Sequence, residues 1–93
     1  MYPNVKKFKC VLHYDDQHRG VIMFNDMTYS GLVGLVSKKF KLDPNSPIKL
    51  SCKLPLFNYR IDITEDDEVM FFVECACSAS DGVAQLYVVQ PNK

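Results

Sequence analysis

The stretch Ile61-Asp62-Ile63-Thr64-Glu65-Asp66-Asp67-Glu68-Val69-Met70-Phe71-Phe72-Val73 constrains the chain most, because a short strand, a helix cap and an acidic first turn meet in it. Ile61 and Ile63 flank Asp62 with the period-two spacing of a half-buried strand. Thr64, followed three residues later by Asp67, reads as an N-cap with a capping-box variant and predicts a helix starting at Glu65. Glu65, Asp66, Asp67 and Glu68 then occupy the positive end of the helix dipole, where an exposed carboxylate is stabilised by about 0.3–1 kcal/mol. The acidic run therefore has a structural reason before any functional one. Val69, Phe72, Val73 and Ala76 recur at i, i+3, i+4, i+7, the stripe of a helix lying on a sheet. Phe71 falls on the opposite side, which makes it a candidate apolar contact.

The rest of the chain supplies the sheet. Residues 5–14 alternate Phe8, Cys10, Leu12 and Tyr14 with Lys7, Lys9, Val11 and His13, a strand with a basic outer face. The polar connection Asp15-Asp16-Gln17-His18-Arg19-Gly20 leads to Val21-Ile22-Met23-Phe24, an antiparallel partner that closes a hairpin. Thr28 or Ser30 can cap a helix burying Leu32, Leu35, Val36 and Phe40, with Gly31, Gly34, Ser37 and Lys38 opposite, until Pro44 and Pro47 stop it. Ile48, Leu50, Cys52 and Leu54 mark a third strand ending at Pro55, and residues 79–82 make a turn. Residues 83–89 are β-rich with mixed faces, as in a strand that is central in its sheet. The order β-β-α-β-β-α-β is that of an α+β, ubiquitin-like β-grasp, a mixed sheet with two helices on one side. A ferredoxin-like order needs a helix between the first two strands, and the connection 15–20 is too short for one.

Ninety-three residues make one domain, here 5–91, large enough to fold without a metal or disulfide staple. No apolar run approaches the ~20 residues of a membrane span, and Met1-Tyr2-Pro3-Asn4 leads into lysines without the apolar core of a signal peptide, so an intracellular protein is expected. Net charge is zero but unevenly spread: residues 1–41 carry seven Lys/Arg against three acids, a balance of +4, and the remainder balances at −4. Such a chain suits a charged partner or a second copy of itself. Reduced thiols are expected for Cys10, Cys52, Cys75 and Cys77, because neither Cys10 with His13 nor Cys75 with Cys77 has zinc-knuckle spacing. His13 and His18 lie near the hairpin end with no nucleophile or carboxylate constellation around them, and read as surface histidines.

Three segments carry a family resemblance. Leu35-Val36-Ser37-Lys38-Lys39-Phe40-Lys41-Leu42-Asp43-Pro44, Cys52-Lys53-Leu54-Pro55 and the run from Ile63 to Val73 resemble, in order and spacing, the Phox/Bem-one-like N-terminal domain of plant Mutator-type transposases and transposase-derived host proteins. The resemblance implies a nuclear protein-protein interaction module that associates front to back, a first-strand lysine of one copy meeting an acidic loop and helix start of the next. Lys7 or Lys9 matches the basic position, with Arg19 in support. Asp62, Glu65, Asp66, Asp67 and Glu68 would form the acidic face. The family's acid-rich loop is replaced here by Leu56-Phe57-Asn58-Tyr59-Arg60, which leaves open a binder that uses its basic face alone.

The alternative is a nucleic-acid-binding accessory domain, suggested by Lys6, Lys7 and Lys9 beside aromatics; zero net charge limits it to weak, sequence-independent binding. A ubiquitin-like modifier is not expected, since Gln90-Pro91-Asn92-Lys93 lacks the glycines that conjugation uses. Neither is an enzyme or a cofactor, because no nucleophile-base pair, phosphate loop or metal cluster can be read.

Overall fold

In β1 (Lys7–Tyr14) the side chains of Phe8, Cys10 and Leu12 are buried while Lys7 and Lys9 are exposed, so one strand separates a core side from a solvent side. The computed structural model describes residues 6–43, 45–54, 58–78 and 83–90. β1 is followed by β2 (Gln17–Phe24), α1 (Tyr29–Phe40), β3 (Lys49–Lys53), β4 (Ile61–Ile63), α2 (Asp66–Ser78) and β5 (Ala84–Val89). The strands form one sheet in the order β2-β1-β5-β3-β4, with β5 parallel to β1 and antiparallel to β3. The element order, the mixed sheet and the central last strand are those expected. The turn at 79–82 and the loop residues 55–57 lie outside the described residues.

The hairpin departs from expectation. β2 begins at Gln17, and only Asp15 and Asp16 lie in the turn, where a connection running to Gly20 was expected. Backbone pairing along a solvated edge needs no apolar pattern, so the polar residues 17–20 continue the strand with no hydrophobic signal. Asp15 adopts φ 54°, a left-handed conformation that Asp tolerates better than most residues.

Thr28 caps α1, its Oγ1 accepting the Gly31 N–H at 3.1 Å, and Leu32, Val36 and Phe40 are buried beneath the helix. Leu35, expected in the same stripe, packs half-buried at the margin of the core. The helix ends at Lys41, which takes φ 56°, ψ 50° so that its N–H and that of Leu42 both reach the Ser37 carbonyl. A left-handed non-glycine residue costs about 1–2 kcal/mol, whereas added glycine freedom in the unfolded chain returns only about 0.4–1 kcal/mol. Lys41→Gly is therefore expected to stabilise the fold by about 0.5–1 kcal/mol in urea unfolding. A lower unfolding midpoint would show that the Lys41 side chain contributes more than its backbone costs.

α2 buries Val69, Phe72, Val73 and Ala76, the expected stripe. It begins at Asp66 rather than Glu65, so Glu65 and not Thr64 precedes the helix, its carbonyl accepting the N–H of Glu68 and of Val69. The Thr64 hydroxyl donates instead of capping, and Glu68 Oε1, not Asp67, accepts the Thr64 backbone N–H at 2.6 Å and its hydroxyl at 2.7 Å. Phe72 meets Phe8 edge to face, centroids 5.6 Å apart at 85°, and so ties α2 to β1.

Candidate interaction faces

The helices cover one side of the sheet, and pairing register assigns each remaining side chain to the other. Residues directly opposite on paired strands share a face. Lys7 lies across from Phe24 and Lys9 across from Ile22, so the two lysines share the open face with two exposed apolar side chains of β2. Arg19 lies across from buried Leu12, which puts it on the helix side of the sheet. It is exposed there because it lies near the hairpin end, but the structure does not bring it together with Lys7 and Lys9. Lys49 and Lys53 of β3 pair with Val89 and Gln85, which extends the basic character of the open face beyond β1.

At the centre of this face is a polar and aromatic row that the sequence did not single out. His13 Nδ1 is 2.8 Å from His18 Nδ1, and His13 Nε2 bonds Gln85 Oε1. Gln85 turns its amide nitrogen towards the Val83 carbonyl and its oxygen towards His13. The His13 ring stacks on Tyr87 at 4.7 Å and 14°, and the Arg60 guanidinium lies 3.7 Å from the centroid of the Tyr87 ring. His13 and His18 face each other across the β1–β2 hairpin, while the β1–β5 pairing brings Gln85 and Tyr87 alongside His13.

The acidic residues fall into two groups. Asp62 pairs with Ser51, which itself faces Tyr87, so Asp62 marks the β4 edge of the open face. The other four surround the start of α2, and two of them are engaged within the fold. Asp66 Oδ1 accepts the N–H of Tyr29, the first residue of α1, at 2.7 Å. Hydrogen bonds from the Thr64 hydroxyl and backbone hold the Glu68 carboxyl below the usual glutamate range. That contribution to stability is present above the ordinary glutamate pKa and is lost as pH falls through the lowered value. Glu65 and Asp67 are exposed. On the outward side of α2, Met70 and Phe71 are also exposed.

The thiols behave as core and margin. Cys10 and Cys52 are buried; burial pushes Cys10 up to about 12 and Cys52 up to about 11, while Cys75 and Cys77 are half-buried. Among the described residues no three His, Cys, Asp or Glu side chains gather as a metal site would require. No helix among them is long and apolar enough to cross a membrane.

No protein-family model and no curated protein matches the chain. Among solved structures, the C-terminal ubiquitin-like domain of mouse tubulin-specific chaperone e is similar over 99% of this chain and 94% of that one, with a TM-score of 0.72 and 14% sequence identity. The fold is the ubiquitin-like β-grasp. At this identity the likeness is one of fold, and the chemistry of the β-grasp surface is this chain's own.

Proposed function

We propose that the chain is a protein-interaction module that docks by charge complementarity, in the front-to-back manner implied by its resemblance to the Phox/Bem-one-like domains of transposase-like and transposase-derived proteins. The observation that carries this reading is the outward placement of Lys7 and Lys9 on β1, with Asp62 three strands away on β4 and level with His13, so that it lies about 14 Å across the sheet and at least about 13 Å further along it. Opposite charges that far apart on one surface are available to two different neighbours. Because Asp66 and Glu68 hold α1 and the α2 cap, the acidic contact falls mainly to Asp62, Glu65 and Asp67.

Exposed ion pairs contribute about 0–1 kcal/mol each, so affinity comes from several together and weakens with salt. Reversing Lys7 or Lys9 to Glu replaces attraction by repulsion and should weaken binding roughly 5- to 30-fold, measured by sedimentation at low and high salt. If both faces are used, Glu65→Lys with Asp67→Lys also abolishes the salt-sensitive front-to-back association, and mixing the two variants restores a single such contact. If only the basic face is used, the acidic reversals leave partner binding unchanged. Should the lysine reversals be silent while Phe71→Ala abolishes association, the contact is apolar and the charge reading is wrong. Nanomolar binding of one DNA duplex at physiological salt would instead favour the nucleic-acid alternative.

A further inference from the structure

Among the described residues β2 and β4 are the outer strands of the sheet. β4 is brief and carries Asp62 at its centre; β2 runs from Gln17 to Phe24. Protein edges are usually blunted by lysine, proline, a bulge or brevity. β2 has neither lysine nor proline, Arg19 is its one Arg, Lys, Asp or Glu, and it pairs with β1 residue for residue without a bulge. The Asn25 N–H bonds the Lys6 carbonyl, so by antiparallel alternation residues 17, 19, 21 and 23 also bond β1. The N–H and C=O groups of His18, Gly20, Ile22 and Phe24 therefore point away from the sheet.

Gly20 sits in the middle of this edge. Its φ is not positive, and a Cβ added there would meet nothing within 4 Å. Neither a turn, a bulge nor crowding among the described residues calls for glycine, and glycine in a strand otherwise marks close approach of another backbone.

We propose that β2 pairs with β2 of a second copy, antiparallel, about a two-fold axis at Val21, joining two sheets into one. Strand symmetry commits the occupant. In this register Ile22, 54% exposed, lies across from Gly20 of the second copy and fills its notch. Phe24 lies across from the second copy's His18, and Arg19 across from its Met23. No like charges are opposed, and because exposed Ile22 and the Gly20 notch sit symmetrically about Val21, the edge is complementary to itself. The pairing draws on backbone groups and apolar side chains and not on the charges of Lys7 and Lys9, which lie one strand further in.

Sedimentation and a cross-linking variant test it. Wild-type protein should dimerise with little change between low and high salt, and Ile22→Pro should weaken the dimer roughly tenfold or more, because position 22 donates outward and not to β1. Ile22→Lys, which leaves the backbone intact, should do the same, keeping the test valid if the proline variant fails to fold. Val21→Cys should form a reducible dimer on mild oxidation faster than wild type, as facing residues at a non-hydrogen-bonded pair lie about 4.5 Å apart, within disulfide range. A monomer at every concentration, a dimer that dissociates with salt and survives both Ile22 variants, or a Val21→Cys protein that cross-links no faster than wild type would each overturn the proposal.

Discussion

Phe72→Ala is expected to cost about 3–5 kcal/mol, enough to unfold much of a small domain whose total stability lies in the range of about 5–15 kcal/mol. Phe72 is 1% exposed, meets Phe8 edge to face and anchors α2 on the sheet, so its removal leaves a cavity lined by groups that cannot collapse into it. Its neighbour Phe71 is 45% exposed, and Phe71→Ala should change stability by less than about 1 kcal/mol. Urea unfolding of the two variants side by side measures this. Equal losses would mean that the outward face of α2 is covered in the folded protein. The pair also separates stability from function, since a loss of binding in Phe71→Ala with an unchanged midpoint assigns that side chain to a partner.

The second large effect is alkaline. The Cys10 thiol is held protonated to about 12, against 9.0 for a free thiol, because burial penalises the thiolate. Below pH 9 both folded and unfolded chains carry the neutral thiol, and the stability from its burial is fully present. Above pH 9 the unfolded chain ionises while the native one cannot, so stability is lost at up to about 1.4 kcal/mol per pH unit until pH nears 12. Cys52 acts in the same direction up to about 11. Cys10→Ala should be less stable than wild type near pH 7, but the gap should close by about 1.4 kcal/mol per unit as pH is raised above 9. Urea midpoints at pH 8, 9, 10 and 11 for the two proteins decide it, and parallel curves would show that Cys10 ionises freely in the fold. The same burial predicts that thiol reagents label Cys75 and Cys77 well before Cys10 and Cys52.

The stripe Val69, Phe72, Val73, Ala76 and the alternation of β1 and β3 were legible in the sequence, because each is a local consequence of helix or strand period, while the choice of Thr28 over Ser30 as the α1 cap was left to the structure. So was the outward direction of Lys7 and Lys9. Arg19 was also within reach: it shares parity with Val21 and Met23, and extending β2 back to Gln17 would have assigned it to the helix side. The apolar pattern stops at Val21, and a solvated edge strand writes no pattern beyond that point.

What only tertiary structure decided was register and company. Period-two alternation says which residues share a face of one strand but not which strand lies alongside. The placement of β5 between β1 and β3 brings residues 13, 60 and 87 into one stack. Asp66 and Glu68 look like two more surface acids in a run of four. The approach of α1 gives the first an amide to hold, and the fold-back over Thr64 gives the second its bonds. Local sequence thus determined the elements and their buried sides, because short-range sterics and hydrophobic period act within a few residues. The surface on which a partner would dock depended on contacts between residues far apart in the chain, whose pairing free energy no local pattern records.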